Sequence, residues 1–300
     1  MANKPNKPNL TPFIAGLSCW HGPVDPEPVA GGITNTNFSV VDQGRRYFVR
    51  IGSDIPVHGI VRANELAANL AAHAAGVAPA VIHSEPGALV LEFISGRTFS
   101  PADARDPRNL ERIVNLLRRC HRGIPEYLRG AAAMFWVFHV VRDYAHTLNA
   151  GNSRHRARLP ELLGTAARLE EALGPVDIVF GHNDLLATNF IDDGARLWLI
   201  DWEYAGFNSP LFDLAGLSSN NEFPADLRLR LIETYFGRPV DRELKLRFAA
   251  MNAASLLRET MWSMVSEIHS QLDFDYVAYT AMNLARFESA LAAFGELEDG

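Results

Sequence analysis

Residues 177–206 read DIVFGHNDLLATNFIDDGARLWLIDWEYAG. Two short apolar runs, NFI and LWLI, flank Asp192-Asp193-Gly194, a turn composition, so the stretch reads as a strand hairpin preceded by a polar loop. In an antiparallel pair the start of one strand lies beside the end of the other, which sets Asn189 next to Asp201. Two neighbouring oxygen ligands suit magnesium, which keeps several waters and shares phosphate oxygens with a nucleotide. Asp184, ahead of Asn189 in the loop, is then placed to take a proton from a substrate hydroxyl. The plainer alternative makes Asp184 and Asp201 turn residues on a solvated hairpin edge.

Upstream, residues 31–92 are strand-like. ITNTNFSVV and RRYFVRIG flank Asp42-Gln43-Gly44 as a hairpin, and AVIHSE and ALVLEFI flank the turn pair Pro86-Gly87. Between them VRANELAANLAAHAAG has helix-forming composition and stops at Gly76. SGRTFSPADARDP has the composition of a linker, which sets a division into residues 1–95 and 96–300. Beyond it RNLERIVNLLRRCHRG, AMFWVFHVVRDYAHTL and LPELLGTAARLEEAL carry apolar positions at helical period. Residues 131–141 read as a buried helix. The fold class is α+β, a small antiparallel sheet followed by a larger, mainly helical region.

The 300 residues suffice for about two domains, and a composition of 48% hydrophobic and 21% charged residues excludes a disordered or fibrous chain. With 28 basic against 35 acidic residues the net charge is −7, which argues against nucleic acid as a partner. Cys19 and Cys120 make no disulfide framework, and no stretch has signal-peptide or membrane-span length. A cytoplasmic protein without membrane insertion is expected, and a homodimer is left open.

His182-x-Asp184-x-x-x-x-Asn189, on a loop before a hairpin closing on Asp201, is the context that protein-kinase-like phosphoryl transfer requires. HNDLLATNF with LIDWEYAG resembles the choline/ethanolamine kinase branch of the aminoglycoside phosphotransferase and protein-kinase-like superfamily. The likeness runs from GGITNTNF to the C-terminal helices. It implies a bilobal protein-kinase-like fold, a small-molecule kinase using ATP and Mg2+, Asp184 as catalytic base, and Asn189 and Asp201 as metal ligands. For the nucleotide, Gly31 and Gly32 would let backbone amides approach phosphate, and Thr34, Asn35 and Asn37 would add donors. Arg50 stands where most kinases of the superfamily carry Lys, and the choline/ethanolamine branch resembles this sequence in having Arg there. It would neutralise phosphate charge with Glu65 as its partner, although both types are common surface charges. Backbone groups near Glu92 and Ile94 would meet adenine.

The acceptor pocket is expected to face Asp184, with Glu203, Tyr204 and Phe207 at the cleft mouth. The segment from Leu256 to Phe287 resembles the C-terminal part of choline kinases, where tryptophan faces hold a quaternary ammonium, and Trp262 matches one of them. The position three before it, tryptophan in those kinases, is Glu259, a type suited equally to a primary amine, a thiazolium or a polyamine. Trp262 also reads as plain core. Asp192, Asp193, Asp273 and Asp275 could join the cleft as cation-attracting carboxylates or be solvated surface residues. His182 is expected to brace the loop, and Asp213 to cap a helix and fix that loop. The expected substrate is a small cationic alcohol, choline or ethanolamine first. The alternatives are thiamine, an aminoglycoside or another amino-alcohol, and, outside small-molecule kinases, a nucleotide-binding pseudokinase. A protein kinase is disfavoured, because the span from Asp201 to Asp213 is short for an activation loop.

Overall fold

The computed structural model describes residues 9–29, 35–270 and 272–300, which divide between two compact units. Gly31, Gly32 and Thr34, expected at the nucleotide, lie outside the described residues. The smaller unit comprises residues 1–54 and 79–95. Its sheet has the order β1-β2-β3-β5-β4, all antiparallel, from Glu27–Val29 (β1), Thr36–Asp42 (β2), Arg45–Ile51 (β3), Val81–Glu85 (β4) and Ala88–Glu92 (β5). The β2–β3 turn has positive φ at both Gln43 and Gly44, the backbone that matches strand twist in a two-residue hairpin. A short helix, Thr11–Ala15 (α1), puts Ile14 into this unit's core with Phe38, Val40, Val49 and Val90.

The larger unit takes residues 55–78 and 96–300. The sequence division at 95 therefore holds only in part, since the first helix after β3, Arg62–Ala74 (α2), packs with the larger unit. The physical reason is its alanine face. Ala68, Ala71 and Ala72 are buried in the larger core, and the following Val77 carbonyl accepts the Leu199 N–H at 2.9 Å. The expected linker is also partly ordered secondary structure, with a short strand Arg97–Thr98 (β6) and a helix Pro101–Arg105 (α3). Ser100 and Asp103 form a reciprocal capping box at the start of α3.

Helices Leu110–Tyr127 (α4), Val137–Ala150 (α5) and Leu159–Leu173 (α6) follow the apolar period of the sequence. Residues 131–136, expected to be helical, are not. Ala133 and Phe135 instead exchange backbone hydrogen bonds with Phe207, so tertiary pairing overrides the apolar run. A strand pair, Val179–Gly181 (β7) with Gly206–Asn208 (β10), brackets the hairpin Phe190–Asp192 (β8) and Leu197–Leu199 (β9), which β6 extends to three strands. Helices Pro210–Asn220 (α7), Ala225–Phe236 (α8), Arg242–His269 (α9) and Tyr276–Asp299 (α10) complete the unit, with α7 buried from Pro210 through Ser219. No helix among the described residues is long and apolar enough to cross a membrane.

The close approach of β10 to residues 131–136 requires glycine at 206. A Cβ there would stand 2.6 Å from the Ala133 carbonyl oxygen, whereas at Gly164, inside α6, it would meet nothing within 4 Å. Gly206→Ala should therefore cost about 1–3 kcal/mol in a urea melt. Gly164→Ala should add about 0.5–1 kcal/mol by restricting the unfolded chain.

Candidate active site

Asp213, in the first turn of α7, organises the loop after β7. Its Oδ2 accepts the His182 N–H at 2.8 Å and its Oδ1 accepts the Asn183 N–H at 2.7 Å. The His121 ring donates Nε2–H to Oδ2 at 2.9 Å, and its Nδ1 meets the Tyr235 hydroxyl at 2.7 Å. Burial would raise the Asp213 carboxyl, but these hydrogen bonds and the nearby histidines hold it below its ordinary value. Asp213 fixes the loop as expected. The helix cap itself is Ser209, whose hydroxyl accepts the Leu211 N–H.

Asn183 sits at φ +66° and spends its side chain on the next turn, donating to the carbonyls of Tyr204 and Gly206 and accepting from Asn208. His182 is fully buried, and its pKa is lowered by that burial. Its Nε2 donates to the Ile200 carbonyl at 2.9 Å, leaving Nδ1 to accept the Asp184 N–H at 3.3 Å. The bracing role expected for it is thus a specific neutral tautomer joining the loop to the end of β9.

The strand register sets Asn189 beside Ile200, one residue before Asp201. Phe190 pairs with Leu199, and the Ile200 N–H donates to the Asn189 carbonyl at 3.0 Å. Asn189 donates its amide N–H to the Asp184 carbonyl at 2.9 Å, which orients its Oδ1 away from that bond. Asp201 is held at φ +71°, a conformation that costs a non-glycine residue about 1–3 kcal/mol and recurs at functional sites. One amide oxygen and one carboxylate are a donor set for a hard cation that keeps most of its waters.

Asp184 is half-buried, and the loss of solvent around its carboxyl pushes its pKa up to about 8. Arg258 opposes that rise, while Glu259, Asp201 and Glu203 add to it. Arg258 is itself buried, donates to Glu259 at 3.0 Å, and lies over the Tyr204 ring at 4.6 Å and the Phe135 ring at 5.5 Å. Glu203 accepts from Arg62 at 3.2 Å, and the same Arg62 nitrogen reaches Glu65 at 2.6 Å. Glu259 accepts from the Tyr279 hydroxyl at 2.8 Å. The arrangement is a cluster of carboxylates around one buried guanidinium.

A family profile described as the phosphotransferase enzyme family matches residues 25–245. The chain belongs to that family. It is 27% identical to the protein LicA of Haemophilus influenzae over 282 residues, covering 89% of this chain and 79% of that protein. It is 26% identical over 287 residues to a probable ethanolamine kinase of Arabidopsis thaliana, with 84% and 76% covered. A choline/ethanolamine kinase family protein from Mesorhizobium loti has a crystal structure that superposes with a TM-score of 0.74 at 30% identity, covering 94% of this chain and 95% of that one.

Within this phosphotransferase the other expected site residues part company. Trp262 is only 4% exposed, stacks on His58 at 5.0 Å, and donates its indole N–H to the Tyr204 hydroxyl at 3.0 Å. That packing favours the core reading of its ring. Phe207 turns to Phe180, at 5.5 Å between ring centres. Asp192 makes a two-pronged ion pair with Arg112, and Asp193 accepts the N–H groups of Ala195 and Arg196 and the Trp198 indole. Both belong to the far end of the hairpin and not to the acidic cluster, because β8–β9 register sets them opposite Asn189. Asp275 caps α10. In the smaller unit Arg50 is buried on β3, Asn37 lies on β2 with Asn35 just before it, and Ile94 follows β5. The Glu92 N–H is taken by the Ala80 carbonyl, so that group is not free for adenine.

Sequence reasoning missed Arg258, His58 and Tyr279. Arg258 had a visible signal, a charge pair inside the apolar run ASLLRETMWSMV. His58 had none, since 200 residues of chain separate it from its partners Trp262 and Ser266.

Burial, with Arg258 and His269 adding, lowers the His58 pKa from 6.5 to about 3. An unfolded histidine takes a proton below pH 6.5 while the folded one refuses it until about 3, so stability falls as pH drops through that window. One such proton contributes a slope of up to about 1.4 kcal/mol per pH unit. His58→Phe keeps a ring against Trp262 and should flatten the pH dependence of urea-melt stability between pH 6 and 4, as measured against the unsubstituted chain ~.

Proposed function

We propose that this phosphotransferase moves the γ-phosphoryl group of ATP to the hydroxyl of a small cationic amino-alcohol, choline or ethanolamine. The observation that carries the reading is the surplus of carboxylate. Desolvation raises the Asp184 pKa to about 8, and Glu259, Asp201 and Glu203 add to that rise against the opposing charge of Arg258. Cations relieve it. An ammonium head group near Glu203 and Glu259 and a divalent ion at Asn189 and Asp201 each favour the ionised form of Asp184, the form able to accept a hydroxyl proton. The family and the names of its relatives, an ethanolamine kinase among them, point the same way.

Mg2+, held by Asn189 Oδ1 and Asp201, would neutralise phosphate charge and orient the transferred group. The chain's own groups do the rest. Asp213 and His182 hold the loop, and Asp184 accepts the proton from the acceptor oxygen. Arg50 is assigned to phosphate neutralisation, and the partner that Glu65 has in the larger unit is Arg62, at 2.6 Å.

The packing of Trp262 favours a primary over a quaternary ammonium. With the indole stacked on His58, the accessible recognition groups are Glu259, Tyr279 and the neighbouring Phe274, which is 46% exposed and 5.6 Å from the Tyr279 ring. A carboxylate beside aromatic edges suits an ammonium that donates hydrogen bonds.

ADP release measured with ethanolamine, choline, thiamine and an aminoglycoside should be largest for ethanolamine, with choline second. Equal background rates for both would overturn the reading. Glu259→Gln should raise the acceptor KM about tenfold, the loss of one charge-assisted hydrogen bond. Trp262→Ala should lower the melting temperature and leave the acceptor KM of the folded enzyme near its original value.

A further inference from the structure

A cavity of about 680 Å3 opens among α7, α8, α9 and α10 of the larger unit, lined by none of the residues of the candidate active site. That volume is of the size that holds a small organic ligand. Its walls are apolar, with Ile232, Phe248, Leu256 and Ala290 among them. Three cations line it as well, Arg228, Lys245 and Arg286, against one carboxylate, Glu222, which stands 3.9 Å from Arg105.

Among the described residues none of these three cations is paired with a carboxylate. Arg228 donates Nε–H to the Phe223 carbonyl at 2.8 Å, and burial lowers its pKa with no anion to offset the effect. Arg286 donates to Asn283 Oδ1 at 3.1 Å and to the Ser219 carbonyl at 2.6 Å. Asn252, on α9, lines the same cavity, is more than nine-tenths buried, and has no hydrogen-bond partner for its Oδ1. A buried amide without a partner is costly, and a polar ligand group at this wall would satisfy it.

We infer that this cavity binds a single-chain amphiphile with an anionic head, its alkyl chain against the apolar wall and its carboxylate or phosphate against Arg228, Lys245 and Arg286. Chain and charge each have a complement here, which separates this ligand from a nucleotide, whose polar base and ribose would meet alkyl groups, and from a neutral lipid, which would leave the cations unmatched. The inference does not depend on the acceptor or on catalysis.

Calorimetric titration of the full chain, without ATP, against octanoate, octyl phosphate, 1-octanol and acetate tests it, with the amphiphiles below micelle-forming concentrations. Octanoate or octyl phosphate should bind about tenfold more tightly than 1-octanol or acetate, the factor of one charge-assisted hydrogen bond. The tighter of the two anions identifies the head group. Lys245→Glu, at an exposed position on the cavity rim, should weaken both anions by a similar factor and leave 1-octanol unchanged. Ala290→Trp should abolish binding by filling the apolar wall, with a thermal melt confirming that the variant folds. Equal binding of octanoate and 1-octanol, anion binding indifferent to Lys245→Glu, or anion binding that survives in a folded Ala290→Trp would overturn the inference. So would a concentration-dependent dimer that Ala290→Trp abolishes, since the cavity would then be covered by a second copy of the chain.

Discussion

The Asp213 carboxylate sits in the larger unit's interior and accepts two backbone N–H groups and one imidazole N–H. Each donor would be an orphan without it, at about 1–3 kcal/mol apiece. The consequence is geometric. With His182 and Asn183 tied to the first turn of α7, the chain must leave β7 through a left-handed residue, and the Asn183 side chain then clamps the turn that follows Asp201. His182 closes the circuit to the Ile200 carbonyl. The residues on either side of the hairpin, Asp184 and Asn189 before it and Asp201 and Glu203 after it, are positioned by this one buried acceptor. Asn221 at the end of α7 adds a second hold, accepting the Ala187 N–H and donating to the Leu185 carbonyl.

On the proposed reading, the site draws cations through its carboxylates. Several carboxylates are drawn together with Arg258 as the buried counter-charge, itself in contact with aromatic faces. Such a cluster binds cations because each one removes repulsion as well as adding attraction. It also couples the steps of the proposed reaction. In the proposed reaction Asp184, whose pKa desolvation pushes up to about 8, becomes a better proton acceptor as cations arrive.

Much of this was legible in residues 177–206. Strand register alone put Asn189 and Asp201 at the same end of the hairpin, and the resemblance assigned the roles. What failed was information carried by distant contacts. The run at 131–136 has helical composition, yet Phe207 captures it as extended chain, and nothing local marks the capture. Asp192 and Asp193 looked like members of an acidic cleft until Arg112, eighty residues upstream, and the Trp198 indole took them. The α2 helix follows the first hairpin in sequence, but its alanine face matches the larger core, a fact of packing that periodicity does not reveal. Trp262 could not be resolved from sequence between pocket and core, because the ring that covers it belongs to His58.

The central claim is that the clamped loop presents Asp184 as the proton acceptor of phosphoryl transfer. Asp184→Asn keeps the shape and the backbone bonds to His182 and Asn189 while removing the basic oxygen. Steady-state kinetics of this variant with saturating acceptor should show kcat lowered by a factor of about 10² or more, with the KM for ATP nearly unchanged. A variant that turns over at close to the original kcat would contradict the account, because the loop would then be held for some purpose other than accepting that proton.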